Sequence, residues 1–186
     1  LKTNPVVGIV GARQVGKTTL ARMLCATHGN RMHYFDLEDP DDMARLADPA
    51  LALKPLRGLV VIDEVQQLPG LFPVLRVLAD RPRTPARFLI LGSASPQLLD
   101  RGSETLAGRI AYHGLTGLSL QEVGPSQVRQ LWLRGGFPRA FLARDNAESM
   151  AWRRNFVRSF LERDLPNLGV RVASAAMRRF WTMLAH

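Results

Sequence analysis

Five short apolar runs punctuate the first two thirds of the chain, and residues at helical spacing fill most of the gaps between them. Val6–Val10 leads into a glycine-rich turn. From Thr18 onward Leu20, Met23, Leu24 and Thr27 share one helical face, with Gly29 as the stop. Residues 32–35 form a second run that enters the acidic turn 36–42. Residues 59–62 are an uninterrupted aliphatic run, the pattern of a strand covered on both faces. Residues 87–91 end at Gly92, and 110–115 make a weaker fifth run. Helices are predicted at 41–47, 72–80, 96–101 and 103–109. Strands alternating with helices predict an α/β fold, a parallel five-stranded sheet flanked by helices.

After Pro125 the alternation stops and the pattern becomes wholly helical. Trp152, Phe156 and Phe160 recur every four residues, and Met177, Phe180, Trp181 and Leu184 form a second stripe. Aromatic stripes at this spacing are expected to be core. The second stripe runs to His186 without a capping signal, so the chain reads as part of a longer protein. The division expected is an α/β core at 1–125 and an incomplete helical lid at 126–186.

The composition of the 186 residues supports a folded chain, 46% hydrophobic with 22% charged. No apolar stretch approaches a membrane span, and no secretory signal is visible. The lone Cys25 excludes an intramolecular disulfide and a multi-cysteine zinc site, and a reducing cytoplasm is the natural compartment. His28, His33, His113 and His186 have no metal-ligand spacing and read as structural.

Charge changes the picture in the second part. Residues 1–125 carry 14 basic and 12 acidic side chains, whereas 126–186 carry 11 arginines and 4 acids. Such an excess favours polyanionic partners. Arg153, Arg154, Arg158, Arg178 and Arg179 fall mostly outside the apolar stripes, which fits weak DNA-backbone contact without base reading. Contact with a further domain of the same chain, or a merely solvated surface, are the alternatives.

The chemistry concentrates in the first part. Gly11-Ala12-Arg13-Gln14-Val15-Gly16-Lys17-Thr18 matches G-x-x-x-x-G-K-[ST] in full and sits between an apolar strand and a helix. The glycines let backbone N–H groups, continuing to Thr19, turn toward phosphate oxygens, and the helix N-terminus faces the same phosphates. Lys17 can reach the β- and γ-phosphates of ATP, and the Thr18 hydroxyl can ligate Mg²⁺. The run 59–62 ends in Asp63-Glu64. Asp63 would hold the metal, and Glu64 would orient or deprotonate an attacking water. After 87–91 come Gly92-Ser93-Ala94-Ser95, where Ser93, or failing it Ser95, would sense the γ-phosphate. No N-K-x-D guanine-reading motif occurs.

These residues resemble the prokaryotic predicted ATPases of the AAA+ superfamily. The matching blocks are the phosphate loop with Thr19-Leu20, Tyr34-Phe-Asp-Leu-Glu-Asp, Val61-Ile-Asp-Glu-Val, Leu91-Gly-Ser-Ala-Ser, Leu106-Ala-Gly-Arg and Leu118-Ser-Leu-Gln-Glu. Gly135-Gly-Phe-Pro138 and Phe160-Leu-Glu-Arg-Asp164 continue the resemblance. The family often has Pro where this chain has Ala12, which leaves the cradle unchanged. The resemblance implies a winged-helix-like segment and a C-terminal domain beyond these residues. It also implies an arginine finger at Arg109, acting on a neighbouring subunit of a homo-oligomer. Pro138 would pack against the adenine. The function expected is Mg²⁺-dependent ATP binding and hydrolysis. A nucleotide-dependent switch or DNA-binding module with little hydrolysis, or a small-molecule kinase, are the alternatives.

Overall fold

The computed structural model describes residues 3–26, 32–82, 86–93, 104–167, 169–170 and 172–184. They form two units, Leu1–Thr116 and Gly117–His186.

The first unit is built on five parallel strands: β1 (Val6–Val10), β2 (Met32–Asp36), β3 (Gly58–Asp63), β4 (Ala86–Gly92) and β5 (Ile110–Gly114). Their order is β2-β3-β4-β1-β5. β1 is therefore an interior strand, with β4 and β5 beside it. All five strands end on one edge, with Val10 level with Gly92 and Gly114 and Asp36 level with Asp63. The chain leaves β1 in one direction and returns to its other side for β5, which opens a crevice at the strand ends.

Strand alternation splits the core into two layers. Val6, Val10, Val60, Ile62, Phe88 and Ile90 face helix α4 (Leu71–Ala79) together with Leu46 and Leu53. Val7, Ile9, Leu59, Val61, Leu89 and Leu91 face Ala21 and Cys25 of α1 (Lys17–Ala26). On that second face a cavity of about 360 Å³ opens between α1 and the edge strand β5, walled by Ile9, Leu20, Leu24 and Leu115. Two short helices follow β2, α2 (Pro40–Arg45) and α3 (Pro49–Leu53). Each is started by an Asp-Pro pair. Asp39 and Asp48 accept from backbone N–H groups one turn on, and proline occupies the first helical position, where no N–H is required.

The predicted strands lie where the apolar runs put them, within a residue at each end. The expected helix at 96–101 falls outside the described residues. Of 103–109, only Glu104 and Thr105 are helical among the described residues, because Gly108 adopts φ +73° and the segment turns into β5.

The second unit is helical: α5 (Leu120–Val123), α6 (Val128–Arg134), α7 (Pro138–Phe141), α8 (Asn146–Ser159), α9 (Leu165–Asn167) and α10 (Ser174–Leu184). Ser119 and Glu122 form a reciprocal capping box on α5. A π-helical turn at Phe160–Asp164 continues α8. Phe137, Trp152, Phe156, Phe160 and Trp181 make a ladder of rings with centroids 4.6 to 6.1 Å apart. The first aromatic stripe is thus half-buried as a ring stack. The second departs from the expected core: Phe180, Trp181 and Leu184 of α10 are 52%, 36% and 70% exposed. Trp181 stacks on Phe160 at the end of the ladder, with ring centroids 5.8 Å apart.

Candidate functional site

Residues 11–18 join β1 to α1 at the sheet edge where all strands end. Gly11 starts the loop because no side chain fits there: a Cβ would stand 2.3 Å from the carbonyl oxygen of Leu115. The loop then turns through positive φ at Gln14 (61°) and Gly16 (108°). Val15 anchors it in the interior at 4% exposure. Lys17 is buried, and its ammonium donates to the carbonyls of Gly11 and Ala12, both at 3.1 Å. Burial pushes its pKa down, opposed by the nearby Glu64 and Asp63 carboxylates. The lysine therefore spans the inside of its own loop. Arg13 leaves the loop to pair with Glu38 at 3.3 Å, while Ala12 and Thr19 are exposed.

Asp63 ends β3 beside this loop, almost fully buried. Its Oδ2 accepts from Thr18 Oγ1 at 2.6 Å and from the Tyr34 hydroxyl at 2.7 Å, and its Oδ1 accepts from the Glu64 N–H at 2.9 Å. Three donors satisfy a buried carboxylate that would otherwise be costly. Glu64 follows in the left-handed region, φ 52° and ψ 44°, uncommon for a residue with a side chain. That turn points its chain away from the strand direction and starts the 3₁₀ turn Val65–Gln67. Gln66 Nε2 donates to Glu64 Oε2. Burial raises the Glu64 pKa, while the bond from Gln66 and the charge of Lys17 pull it back.

Mg²⁺ prefers hard oxygen ligands, few from protein, with phosphates and water completing the shell. Thr18 Oγ1 and Asp63 Oδ2 are such a pair, and they already lie in contact. Among the described residues no group of three or more His, Cys, Asp or Glu could enclose a metal by itself. The residues fit a metal shared with a phosphate chain.

Ser93 directly follows β4, the strand between β1 and β3, and the carbonyl of Gly92 accepts from the Gly11 N–H at 3.3 Å. Ser93 is thereby brought to the loop; Ser95 lies outside the described residues. Arg109 is not brought there. It precedes β5, so it stands at the opposite edge of a parallel sheet, its carbonyl bonded to Val6 N–H. Five strand residues put it roughly 15 Å from the loop of its own chain. Its guanidinium is held by Asp80, Nε–Oδ1 2.6 Å and Nη2–Oδ2 2.9 Å. At that edge it does not meet the phosphate loop of its own chain; the finger expected at Arg109 is one that acts on a neighbouring subunit. Pro138 lies in the second unit, the first residue of α7. Gly135 caps α6 at φ +75°, and Gly136 packs backbone to backbone on Gly117, where a Cβ would meet it at 2.7 Å.

Tyr34 and Gln66 are partners that motif spacing did not single out. A phenol on a strand flanked by apolar residues needs a hydrogen-bond partner, which was the signal available for Tyr34. Gln66 depends on turn geometry and had none.

Residues 3–124 match the AAA domain family. The chain belongs to that family. Residues 125–186 match a domain of unknown function (DUF8612). Uncharacterized proteins of Mycobacterium bovis and Mycobacterium tuberculosis are each 57% identical to it over 182 residues, 98% of this chain and 41% of theirs. The chain spans about two fifths of the length of these curated relatives. Among solved structures, the P-loop NTPase domain of the sigma-54 transport activator from E. coli aligns at 21% identity and TM-score 0.40. That alignment covers 57% of this chain and 81% of the other. RuvB of Thermotoga maritima aligns at 21% identity and TM-score 0.42, covering 84% and 55%. The AAA domain here has the α/β P-loop fold, a parallel five-stranded sheet flanked by helices with the phosphate loop after its first strand. Among the described residues, no helix is long and apolar enough to cross a membrane.

Proposed function

We propose that this AAA domain binds ATP with Mg²⁺ and hydrolyses it to ADP and phosphate. The observation that carries the reading is the contact between Thr18 and Asp63 at 2.6 Å, with Glu64 adjoining it and Lys17 facing both carboxylates. Backbone N–H groups of residues 11–19 receive the phosphates, and Lys17 exchanges the carbonyls of Gly11 and Ala12 for β- and γ-phosphate oxygens. Thr18 and Asp63 would hold Mg²⁺, which when bound would supply neutralisation of phosphate charge. Glu64 takes a proton from water as the water oxygen bonds to the γ-phosphorus and the bond to ADP breaks. A carboxylate whose proton affinity is raised by burial suits that acceptor role. Ser93 is assigned to the γ-phosphate.

Phosphate release from ATP by the purified chain, with Mg²⁺ and then with a chelator, tests this. Release that requires Mg²⁺ is expected. Stoichiometric nucleotide binding without release would contradict hydrolysis and favour a nucleotide-dependent switch.

A further inference from the structure

Arg13 belongs to the phosphate loop, but its guanidinium reaches well beyond it. Its Nη2 lies 3.3 Å from Oε1 of Glu38. The loop follows β1 and Glu38 follows β2, and in the sheet β4 and β3 stand between those two strands. At about 4.8 Å per strand, the ends of β1 and β2 are roughly 14 Å apart. An ion pair joining them crosses the crevice over the tips of β4 and β3, the strands that carry Ser93, Asp63 and Glu64 at their ends. The Glu38 side of the bridge is anchored there. Leu37 N–H donates to the Asp63 carbonyl at 3.2 Å, and Glu38 N–H donates to Asp36 Oδ1 at 3.0 Å.

The guanidinium is both accessible and lightly held. The Arg13 and Glu38 side chains are 36% and 51% exposed, so a ligand entering the crevice meets them directly. Their contact is longer than the roughly 2.7–2.9 Å of a strong charge-assisted bond, and exposed pairs contribute little. Burial dominates the lowered pKa of Lys17, but Arg13 and Glu38 both act on it, and Glu38 acts on Glu64 as well. The bridge therefore lies close to the two groups that meet the γ-phosphate in the reading above. A phosphate offers a planar, permanently charged guanidinium more anionic oxygens than one carboxylate does.

We propose that Arg13 is a catalytic residue acting within its own chain: its guanidinium leaves Glu38 for oxygens of the γ-phosphate and stabilises the charge that develops there as water attacks. This rests on the reading of the loop as an ATP site. Arg13 stays protonated throughout, and Glu38 holds it across the crevice until nucleotide arrives.

The test compares Arg13→Gln with Glu38→Gln in the full 186-residue chain. Turnover at saturating Mg-ATP is read beside the dissociation constants of ADP and of a non-hydrolysable ATP analogue. Arg13→Gln is expected to lower turnover on the order of 1,000-fold, the low end of what such an arginine contributes. It should weaken the analogue about 10-fold, the worth of one bond to a charged group, and leave ADP binding unchanged. Glu38→Gln should tighten the analogue, by up to about 5-fold, because the competing carboxylate is gone. Both variants lose the ion pair, so a merely structural bridge would move them in the same direction. Weaker analogue binding in both would overturn the proposal, as would wild-type turnover and analogue binding in Arg13→Gln. Failure of the unaltered chain to bind either nucleotide would instead overturn the reading of the loop as an ATP site.

Discussion

The Thr18 hydroxyl donates to Asp63 Oδ2 across 2.6 Å, tying the end of the phosphate loop to the tip of β3, 45 residues further along the chain. The tie exists because β4 inserts between β1 and β3, so the loop after one strand meets the carboxylate that ends another. Tyr34 donates to the same oxygen from β2. Its pKa is raised, by burial first and then by the bond to Asp63, so the phenol remains a donor throughout the neutral and alkaline range. Were Thr18 to turn to a metal, Tyr34 would be the donor left on Oδ2, beside the Glu64 N–H on Oδ1.

Tyr34→Phe is therefore expected to leave metal-free nucleotide binding unchanged and to weaken the gain that Mg²⁺ adds. One hydrogen bond to a charged group, about 1.5–3 kcal/mol, sets an upper bound of roughly 10- to 100-fold on that loss. Calorimetry of ADP binding with and without Mg²⁺ reads it directly. An unchanged Mg²⁺ increment would show that Asp63 needs no phenol.

Lys17→Ala removes the buried ammonium from a loop whose other phosphate contacts, Arg13 apart, are neutral backbone groups. ATP affinity should be largely lost while the sheet stays folded, since Lys17 bonds only to carbonyls of its own loop in this structure. Calorimetric titration with Mg-ATP checks this. Wild-type affinity would refute the placement of the phosphates.

Much of the first unit was legible because its determinants are local. Uninterrupted aliphatic runs announce strands covered on both faces, and the glycines at 11 and 16 announce a loop that admits no side chain. The position of Arg109 also follows once β5 is known to start at Ile110, since a residue before a parallel strand stands at the edge away from the loop. Tyr34 and Gln66 were not legible. The first depends on register, with Asp36 level with Asp63, and the second on the left-handed backbone at Glu64. The second aromatic stripe shows the opposite limit. Periodicity names the apolar face of α10 but not what covers it.

Arg109 makes an oligomer prediction, of a finger acting between subunits. Its pairing with Asp80 is solvent-exposed, and exposed ion pairs contribute little, so the guanidinium can change partners readily. Mixing inactive Lys17→Ala protein with inactive Arg109→Ala protein should restore hydrolysis, because each supplies what the other lacks. Failure to complement in demonstrably mixed oligomers would end the finger assignment.

The arginines of the second unit predict salt-sensitive DNA binding. Arg154, Arg178 and Arg179 are exposed, whereas Arg158 pairs with Glu162 at 3.4 Å and Arg153 donates to the Ser149 carbonyl. Duplex DNA should bind weakly and without sequence preference, with log affinity falling by about 0.9 per log salt for each phosphate neutralised. Titrations at low and moderate salt measure that slope. No binding at low salt, or binding that salt leaves unchanged, would assign these arginines to protein contacts or solvent.

The central claim is that Glu64 activates water beside a metal held by Thr18 and Asp63. Turnover of Glu64→Gln against wild type at saturating Mg-ATP tests it most directly, since glutamine keeps the shape and loses only the basic oxygen. A fall of roughly 100-fold or more is the expected result; turnover equal to wild type would contradict the account.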